Sequence, residues 1–168
     1  MHRLRSLSLK FHLDESARTV LLMAIGALLT QPAPILTTVR LQFRHLSTYT
    51  APSNLFSGQA PMLHAAMLEG GCLTLTPACF SKLWCLTIRE TAWPLSTNCL
   101  PFQLKILELG IFSVEGVPFL LVCPLPSLST MIIKIEQELR GTWDQLWQRL
   151  DTYGYTKIPT IAIELEWH

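Results

Sequence analysis

Aliphatic residues recur along the chain with one spacing, in which two residues and then one residue separate three hydrophobic positions, L-x-x-L-x-L. Ordered copies of such a pattern, with turn residues between them, are typical of a repeat protein that contributes one short strand per repeat. Seven copies are readable when close substitutes of leucine are accepted, and Ala66 is the weakest member. The copies are Leu4-Leu7-Leu9, Leu36-Val39-Leu41, Leu63-Ala66-Leu68, Leu83-Leu86-Ile88, Leu104-Leu107-Leu109, Leu128-Met131-Ile133 and Ile158-Ile161-Ile163.

Hydrophobic and polar residues alternate within several copies, which is the periodicity of a β-strand with one buried face. The first copy alternates Leu7, Leu9 and Phe11 with polar residues, and the segments 39–44 and 161–167 do the same. The copy at Met131–Ile133 is ambiguous, because residues 130–140 also fit the spacing of a helix. A strand and a helix both stay open there.

Helical spacing appears between strands near both ends of the chain. Asp14 or Ser16 is a candidate cap for the first helix, which we expect to end before Pro32. Its predicted apolar stripe comprises Ala17, Val20, Leu21, Ala24, Ile25 and Leu28. A second helix is predicted after the capping box of Thr142 and Gln145. The middle repeats are only about 20 residues long, which leaves room for turns or 3₁₀ segments instead of full helices.

These patterns together predict an α/β fold, a leucine-rich-repeat solenoid. We expect a curved parallel sheet on its concave face and irregular helices and turns on its convex face. Residues 1–168 are predicted to form a single domain of about seven irregular repeats, with starts near residues 4, 36, 63, 83, 104, 128 and 158.

Composition narrows the environment in which this chain works. Charged residues make up 15% of the chain and the net charge is +1, so neither nucleic acid nor a membrane is expected as a partner. The five cysteines include no C-x-x-C pair, which favours reduced thiols in a cytoplasmic or nuclear protein. The uncharged run 117–133 is interrupted by three prolines, and a small membrane-associated protein that uses this run is kept as an alternative.

No arrangement of catalytic or metal-binding residues is evident in the sequence, so we expect no enzyme, no cofactor and no metal. His12 and His45 follow adjacent strands and are expected to be ordinary surface imidazoles. Cys85 is expected to carry a free thiol on the concave side. The tryptophans are expected to pack mostly in the core or at the ends of the repeat array.

The strand period also indicates which side chains face the concave surface, where solenoids of parallel strands bind protein ligands. That surface is basic in the early repeats and mixed or acidic in the later ones. The expected partner-binding residues are Lys10, Arg40, Gln42, Met67, Glu69, Thr87, Arg89, Glu108 and Lys134.

A longer phrase carries a more specific resemblance. Residues 52–88 read PSNLFSGQAPMLHAAMLEGGCLTLTPACFSKLWCLTI. This stretch resembles the leucine-rich-repeat region of mushroom-type fungal F-box proteins, in which P-x-x-L-F-x-G-x-A-P-x-L leads into F-x-x-L-x-x-L-x-I. The resemblance implies the substrate-recognition part of an SCF-type ubiquitin ligase, with repeats that hold the protein to be ubiquitinated.

The sequence departs from that family in two ways. No F-box is readable ahead of the first repeat, so a Skp-family adaptor is expected as a partner only if an F-box lies upstream. The asparagine or cysteine expected nine places into each repeat is replaced by His12, Arg44, Gly71, Thr91 and Phe112 in the first five copies. A truncated or stand-alone repeat protein without a ligase role is therefore the alternative.

Overall fold

The computed structural model describes residues 3–12, 18–44, 55–70, 81–89, 103–111, 126–135, 143–152 and 154–165. Over these ranges the chain is an α/β protein built on an open sheet of seven strands, all of them parallel. The strands are β1 (Ser6–His12), β2 (Thr38–Arg44), β3 (Ala65–Glu69), β4 (Cys85–Arg89), β5 (Ile106–Ile111), β6 (Thr130–Ile135) and β7 (Thr160–Leu165).

Each strand pairs with the next strand in sequence, so the order across the sheet is the order along the chain. The register aligns the middle position of every sequence copy, and it aligns the last position in the same way. The middle positions in register are Leu7, Val39, Ala66, Leu86, Leu107, Met131 and Ile161. The predicted alignment of the copies is therefore confirmed as the register of the sheet.

The hydrophobic core lies along one face of this sheet. Successive strand residues point to opposite faces, so the aliphatic positions of the copies enter the core together. Leu41, Leu86 and Leu107 are fully buried, and Leu36, Leu63 and Leu104, which begin their copies, are buried as well. The first copy differs, because Leu4 is 42% exposed at the edge of the sheet.

The first predicted helix is confirmed as α1 (Arg18–Leu29), but its predicted buried stripe is partly wrong. Ile25 and Leu29 are buried and Leu22 packs against the core, whereas Ala24 and Leu28 are exposed. The helix is apolar on nearly all sides, so spacing alone could not select the face that docks on the sheet. The proposed caps, Asp14 and Ser16, lie outside the described residues.

A short 3₁₀ segment, Leu55–Gly58, lies between β2 and β3. The prediction of turns or 3₁₀ segments concerned the repeats of about 20 residues, whose connections lie mostly outside the described residues. Phe56, Ser57 and Gly58 all have positive φ angles of 52°, 50° and 70°. A left-handed conformation costs about 1–2 kcal/mol for a residue with a side chain. Burial of Leu55 and Phe56 stabilises it, and the hydroxyl of Ser57 donates a hydrogen bond to the carbonyl of Thr30.

The ambiguous sixth copy forms strand β6, not a helix, over its described residues. After it comes α2 (Trp143–Thr152), in which Leu146 and Leu150 are buried and Trp147 is 51% exposed. A 3₁₀ helix, Tyr155–Lys157, then leads into β7. No helix in the described part of the chain is both long and apolar enough to span a bilayer, and residues 117–125 lie outside that part.

Candidate binding surface

Strand residues that alternate with the core form the other side of the sheet, here called the open face. Because the strands are in register, their side chains form three rows that cross the sheet at right angles to the strands. The first row contains Ser6, Thr38, Ala65, Cys85, Ile106, Thr130 and Thr160. The middle row contains Ser8, Arg40, Met67, Thr87, Glu108, Ile132 and Ala162, and the last row contains Lys10, Gln42, Glu69, Arg89, Gly110, Lys134 and Glu164.

A network of opposite charges connects β4 to β7 on the open face. The guanidinium nitrogen Nη2 of Arg89 donates to Glu108 Oε1 at 2.8 Å. Lys134 Nζ lies 3.3 Å from the same carboxylate oxygen and 3.4 Å from Glu164 Oε2. Glu108 therefore joins two cations from the strands on either side of it.

The pKa values in this network follow from burial and charge. Burial acts to raise the pKa of the Glu108 carboxyl, but hydrogen bonds from Arg89 and Lys134, and their positive charges, hold that pKa below its usual value of 4.5. For Lys134, burial acts to lower the pKa, and the Glu108 carboxylate more than offsets it and raises the pKa above 10.5. Glu108 and Lys134 are therefore both charged at neutral pH.

Gln42 and Glu69 were expected to face solvent, and this expectation is wrong. They are 5% and 2% exposed, although both occupy the last row of the open face. The Nε2 of Gln42 donates a hydrogen bond to Oε2 of Glu69, which gives the two buried polar side chains a partner in each other. Neither side chain is positioned to meet a partner without rearrangement.

The other predicted binding residues remain accessible to different degrees. Lys10 and Arg40 are exposed, whereas Met67, Thr87, Arg89, Glu108 and Lys134 are half-buried. Arg89, Glu108 and Lys134 are held together by the charge network. Of the predicted cations, Lys10 and Arg40 are therefore the most accessible to a partner.

A shallow groove of about 220 Å³ crosses the open face over β1 to β4. Small side chains, including those of Ser6 and Ala65, form part of its lining, and Arg40 and Met67 also line it. Cys85 lies in the same groove as a free thiol, as predicted. Burial, and to a lesser extent the negative charge of Glu108, raise the pKa of this thiol, so it is protonated at neutral pH.

A further row of side chains lies just before the strands and was not selected from the sequence. Arg5, Trp84 and Lys105 in this row are exposed, whereas Thr37 and His64 are half-buried. The parallel hydrogen-bond ladder extends one residue ahead of β2 to β5: the amide of Thr37 donates to the carbonyl of Arg5, that of His64 to Thr37, that of Trp84 to His64, and that of Lys105 to Trp84. The rings of His64 and Trp84 stack with centroids 5.9 Å apart and planes 4° apart. The tryptophans were expected to pack mostly in the core or at the ends of the repeat array, whereas Trp84 and Trp147 are 41% and 51% exposed and neither belongs to the buried core.

In the described ranges, no group of three or more His, Cys, Asp or Glu side chains is arranged so that it could hold a metal ion. The backbone of His12 is in register with that of Arg44, while His45 lies outside those ranges. The remaining cysteines (Cys72, Cys79, Cys99 and Cys123) and Trp93 and Trp167 also lie outside them. Predictions about these residues stay predictions.

No protein-family model matches the chain, and neither does any curated protein or any solved structure.

Proposed function

We propose that this chain is a leucine-rich-repeat solenoid that binds another protein through its open face. The register of the sheet supports this proposal, because the strand of each sequence copy pairs with the strand of the next copy, and equivalent positions of the copies lie side by side. Stacked repeats pair in this way since a single repeat cannot bury its own apolar side. In a solenoid the sheet curves, and the open face becomes its concave surface.

The dimensions of the open face favour a macromolecular partner over a small molecule. Its groove of about 220 Å³ is smaller than the pockets of about 300–1,000 Å³ that typically enclose small ligands. Seven strands about 4.8 Å apart give a surface roughly 29 Å across, which matches a protein contact. Arg40 on β2 and Met67 on β3, which line the groove, are residue types that protein interfaces favour.

We further propose that the protein bound is a substrate for ubiquitination, with this chain as the recognition part of an F-box-type ligase subunit. Support comes from the phrase in residues 52–88, several of whose fixed positions have a structural role here. Leu55, Phe56, Ala60 and Leu63 are buried, and Gly58 has a φ of 70°. The phrase thus describes how the chain turns between β2 and β3, which a related repeat would share.

A capture experiment tests binding through the open face. The immobilised full chain should retain the same set of proteins from a cell extract in replicate experiments, and Arg40→Glu should reduce that retention at least fivefold. Arg40 is chosen because it is exposed, whereas Arg89 and Glu108 are paired and their replacement would also disturb folding. The matched control is Gln145→Glu/Gln148→Glu, which changes net charge equally on the exposed side of α2.

Two outcomes decide the proposal. Retention that falls equally in the α2 control, or that survives Arg40→Glu, would contradict binding through the open face. For the ligase role, overproduction of the chain should compete with the ligase and lengthen the half-life of a retained protein, while Arg40→Glu should not. An unchanged half-life of a protein that is retained through Arg40 would instead support a stand-alone binding module.

A further inference from the structure

An exposed apolar strip lies at the edge of the sheet where the strands begin. Ile35 and Met62 are 39% and 49% exposed, and with Arg5 and Thr37 they line a cavity of about 350 Å³. Ile35 and Met62 precede β2 and β3, and just before the next strand, β4, Trp84 is 41% exposed although its ring is large and hydrophobic. Exposed apolar side chains that lie together, as Ile35 and Met62 do, mark interaction sites more often than isolated ones.

Positive charge lies at both ends of this strip. The backbone ladder places Arg5 one rung before Thr37 and Lys105 one rung after Trp84, and both cationic side chains are exposed. Arg3 and Lys82, in the turns that precede Arg5 and Trp84, are exposed as well. The six residues Arg5, Ile35, Met62, His64, Trp84 and Lys105 are here called the strand-start patch.

No carboxylate offsets this charge among the described residues that begin β1 to β5. The described carboxylates lie elsewhere, since Glu69, Glu108 and Glu164 are within strands and Asp144 and Asp151 are in α2. The patch therefore differs from the charge network on the open face, where opposite charges already pair. Within the part of the chain that the structure describes, a ligand with negative charge is therefore attracted to the patch and has no carboxylate to displace.

The spacing of the rungs sets the length of a complementary ligand. Arg5 precedes β1 and Lys105 precedes β5, so four inter-strand spacings of about 4.8 Å separate their backbones by roughly 19 Å. An extended peptide advances about 3.3 Å per residue, so roughly six residues span this distance. The order across the patch is basic, apolar and aromatic, then basic.

We propose that the strand-start patch binds an extended segment of a partner protein, about six residues long, with an apolar or aromatic centre and an acidic residue at each end. The acidic ends contact Arg5 and Lys105. The apolar centre packs against Ile35, Met62 and the stacked rings of His64 and Trp84. This proposal rests on the proposed function, because it names the chemistry of a segment that a protein partner would supply.

Peptides of fixed composition test this order on the full-length chain. The probe is a fluorescent peptide EEFLFEE, and its control is FEELEEF, which has the same residues with the acidic ones moved inward and a phenylalanine at each end. We expect the probe to bind at least fivefold more tightly than the control, because only the probe matches both the charges and the strip. Raising the salt from about 50 mM to about 500 mM should weaken the probe severalfold, since exposed charges are screened over shorter distances.

Variants then assign the site. Arg5→Gln/Lys105→Gln should weaken the probe about three- to tenfold, and Trp84→Ala should weaken it about fivefold or more. Gln145→Glu/Gln148→Glu lowers net charge by the same amount on α2 and should leave the affinity within about twofold. Thermal melts of each variant establish that the fold is retained, which is expected because all these side chains are exposed.

Three results would overturn the proposal. One is equal affinity for probe and control, and another is no loss of affinity in Arg5→Gln/Lys105→Gln. The third is tighter binding of a single-stranded oligouridine than of the probe, lost in the same double variant, which would make the patch a nucleic-acid site. Each of these leaves the effect of Arg40→Glu on protein capture unchanged, so failure of this inference is distinguishable from failure of the proposed function.

Discussion

Replacement of Glu108 by glutamine removes a carboxylate that contacts both Arg89 and Lys134. The three side chains are only 18–20% exposed, and the contacts are 2.8 Å and 3.3 Å long. An exposed ion pair contributes about 0.2–1 kcal/mol, whereas removal of one partner from a buried pair costs about 3–5 kcal/mol. Because this network lies between those limits, we expect Glu108→Gln to lower the free energy of unfolding by about 2 kcal/mol.

The pH dependence of this effect follows from the direction of the pKa shifts. The pKa of Glu108 is lowered in the folded protein, so its contribution to stability is complete above the unfolded value of 4.5 and is lost as pH falls through the folded pKa. The pKa of Lys134 is raised, so its contribution is complete below 10.5 and is lost as pH rises through the folded pKa. The difference between wild type and Glu108→Gln should therefore be largest at neutral pH and shrink in acid.

Urea unfolding of the two proteins at about pH 7 and about pH 3.5 measures both effects. At neutral pH the midpoint temperature should also fall by about 4–8 °C for a chain of this size. The matched control is Glu164→Gln, because Glu164 is 50% exposed and contacts Lys134 alone at 3.4 Å in the described network. Equal losses in the two variants, or a loss in Glu108→Gln that does not shrink in acid, would refute the central role of Glu108.

Two other outcomes are expected. Leu109 in β5 is 1% exposed, so Leu109→Ala leaves a cavity in the core and should lower the free energy of unfolding by about 2–5 kcal/mol in urea titrations. The control is Met23→Ala, at a side chain 72% exposed, which should change that free energy by less than about 0.5 kcal/mol. Similar small losses in both variants would contradict the assigned core. Alkylation of Cys85 by iodoacetamide, followed by peptide mass mapping, should be slow at about pH 7 and accelerate only above the pH at which a free thiol reacts, because burial raises its pKa; a rate equal to that of a free cysteine peptide would contradict this.

The strands and their register could be predicted from the sequence, because the same physical requirement acts in each copy. A shift by one residue would turn the aliphatic set of a strand from the core to the open face, so Leu86 and Leu107 leave little choice of pairing. The sixth copy was ambiguous since Ile132 and Ile135 suit both a helix and a strand. Pairing with β5 on one side and β7 on the other settles it in favour of a strand.

Other features depend on partners that the period does not reveal. The sequence period places Gln42 and Glu69 on the open face, yet both side chains are buried. They are hydrogen-bonded to each other across β2 and β3, and the period within one strand does not reveal which strand is its neighbour. The strand-start patch was missed because its side chains precede the alternating segments, and a tryptophan such as Trp84 is usually assigned to the core. The positive φ of Phe56 could not be anticipated either, since residues with side chains rarely adopt it.

Disulfide formation at the native Cys85 tests the in-order, in-register sheet most directly. Cys85 is the register partner of Ala65 on one side and Ile106 on the other, about 4.8 Å away, whereas Thr130 is two rungs away at about 10 Å. Disulfides need Cα atoms within about 7 Å. On mild oxidation and peptide mapping, Ala65→Cys and Ile106→Cys should each link to Cys85, and Thr130→Cys should not. A link to Thr130→Cys, or none to either neighbour, would contradict the stacking of repeats on which the proposed binding function depends.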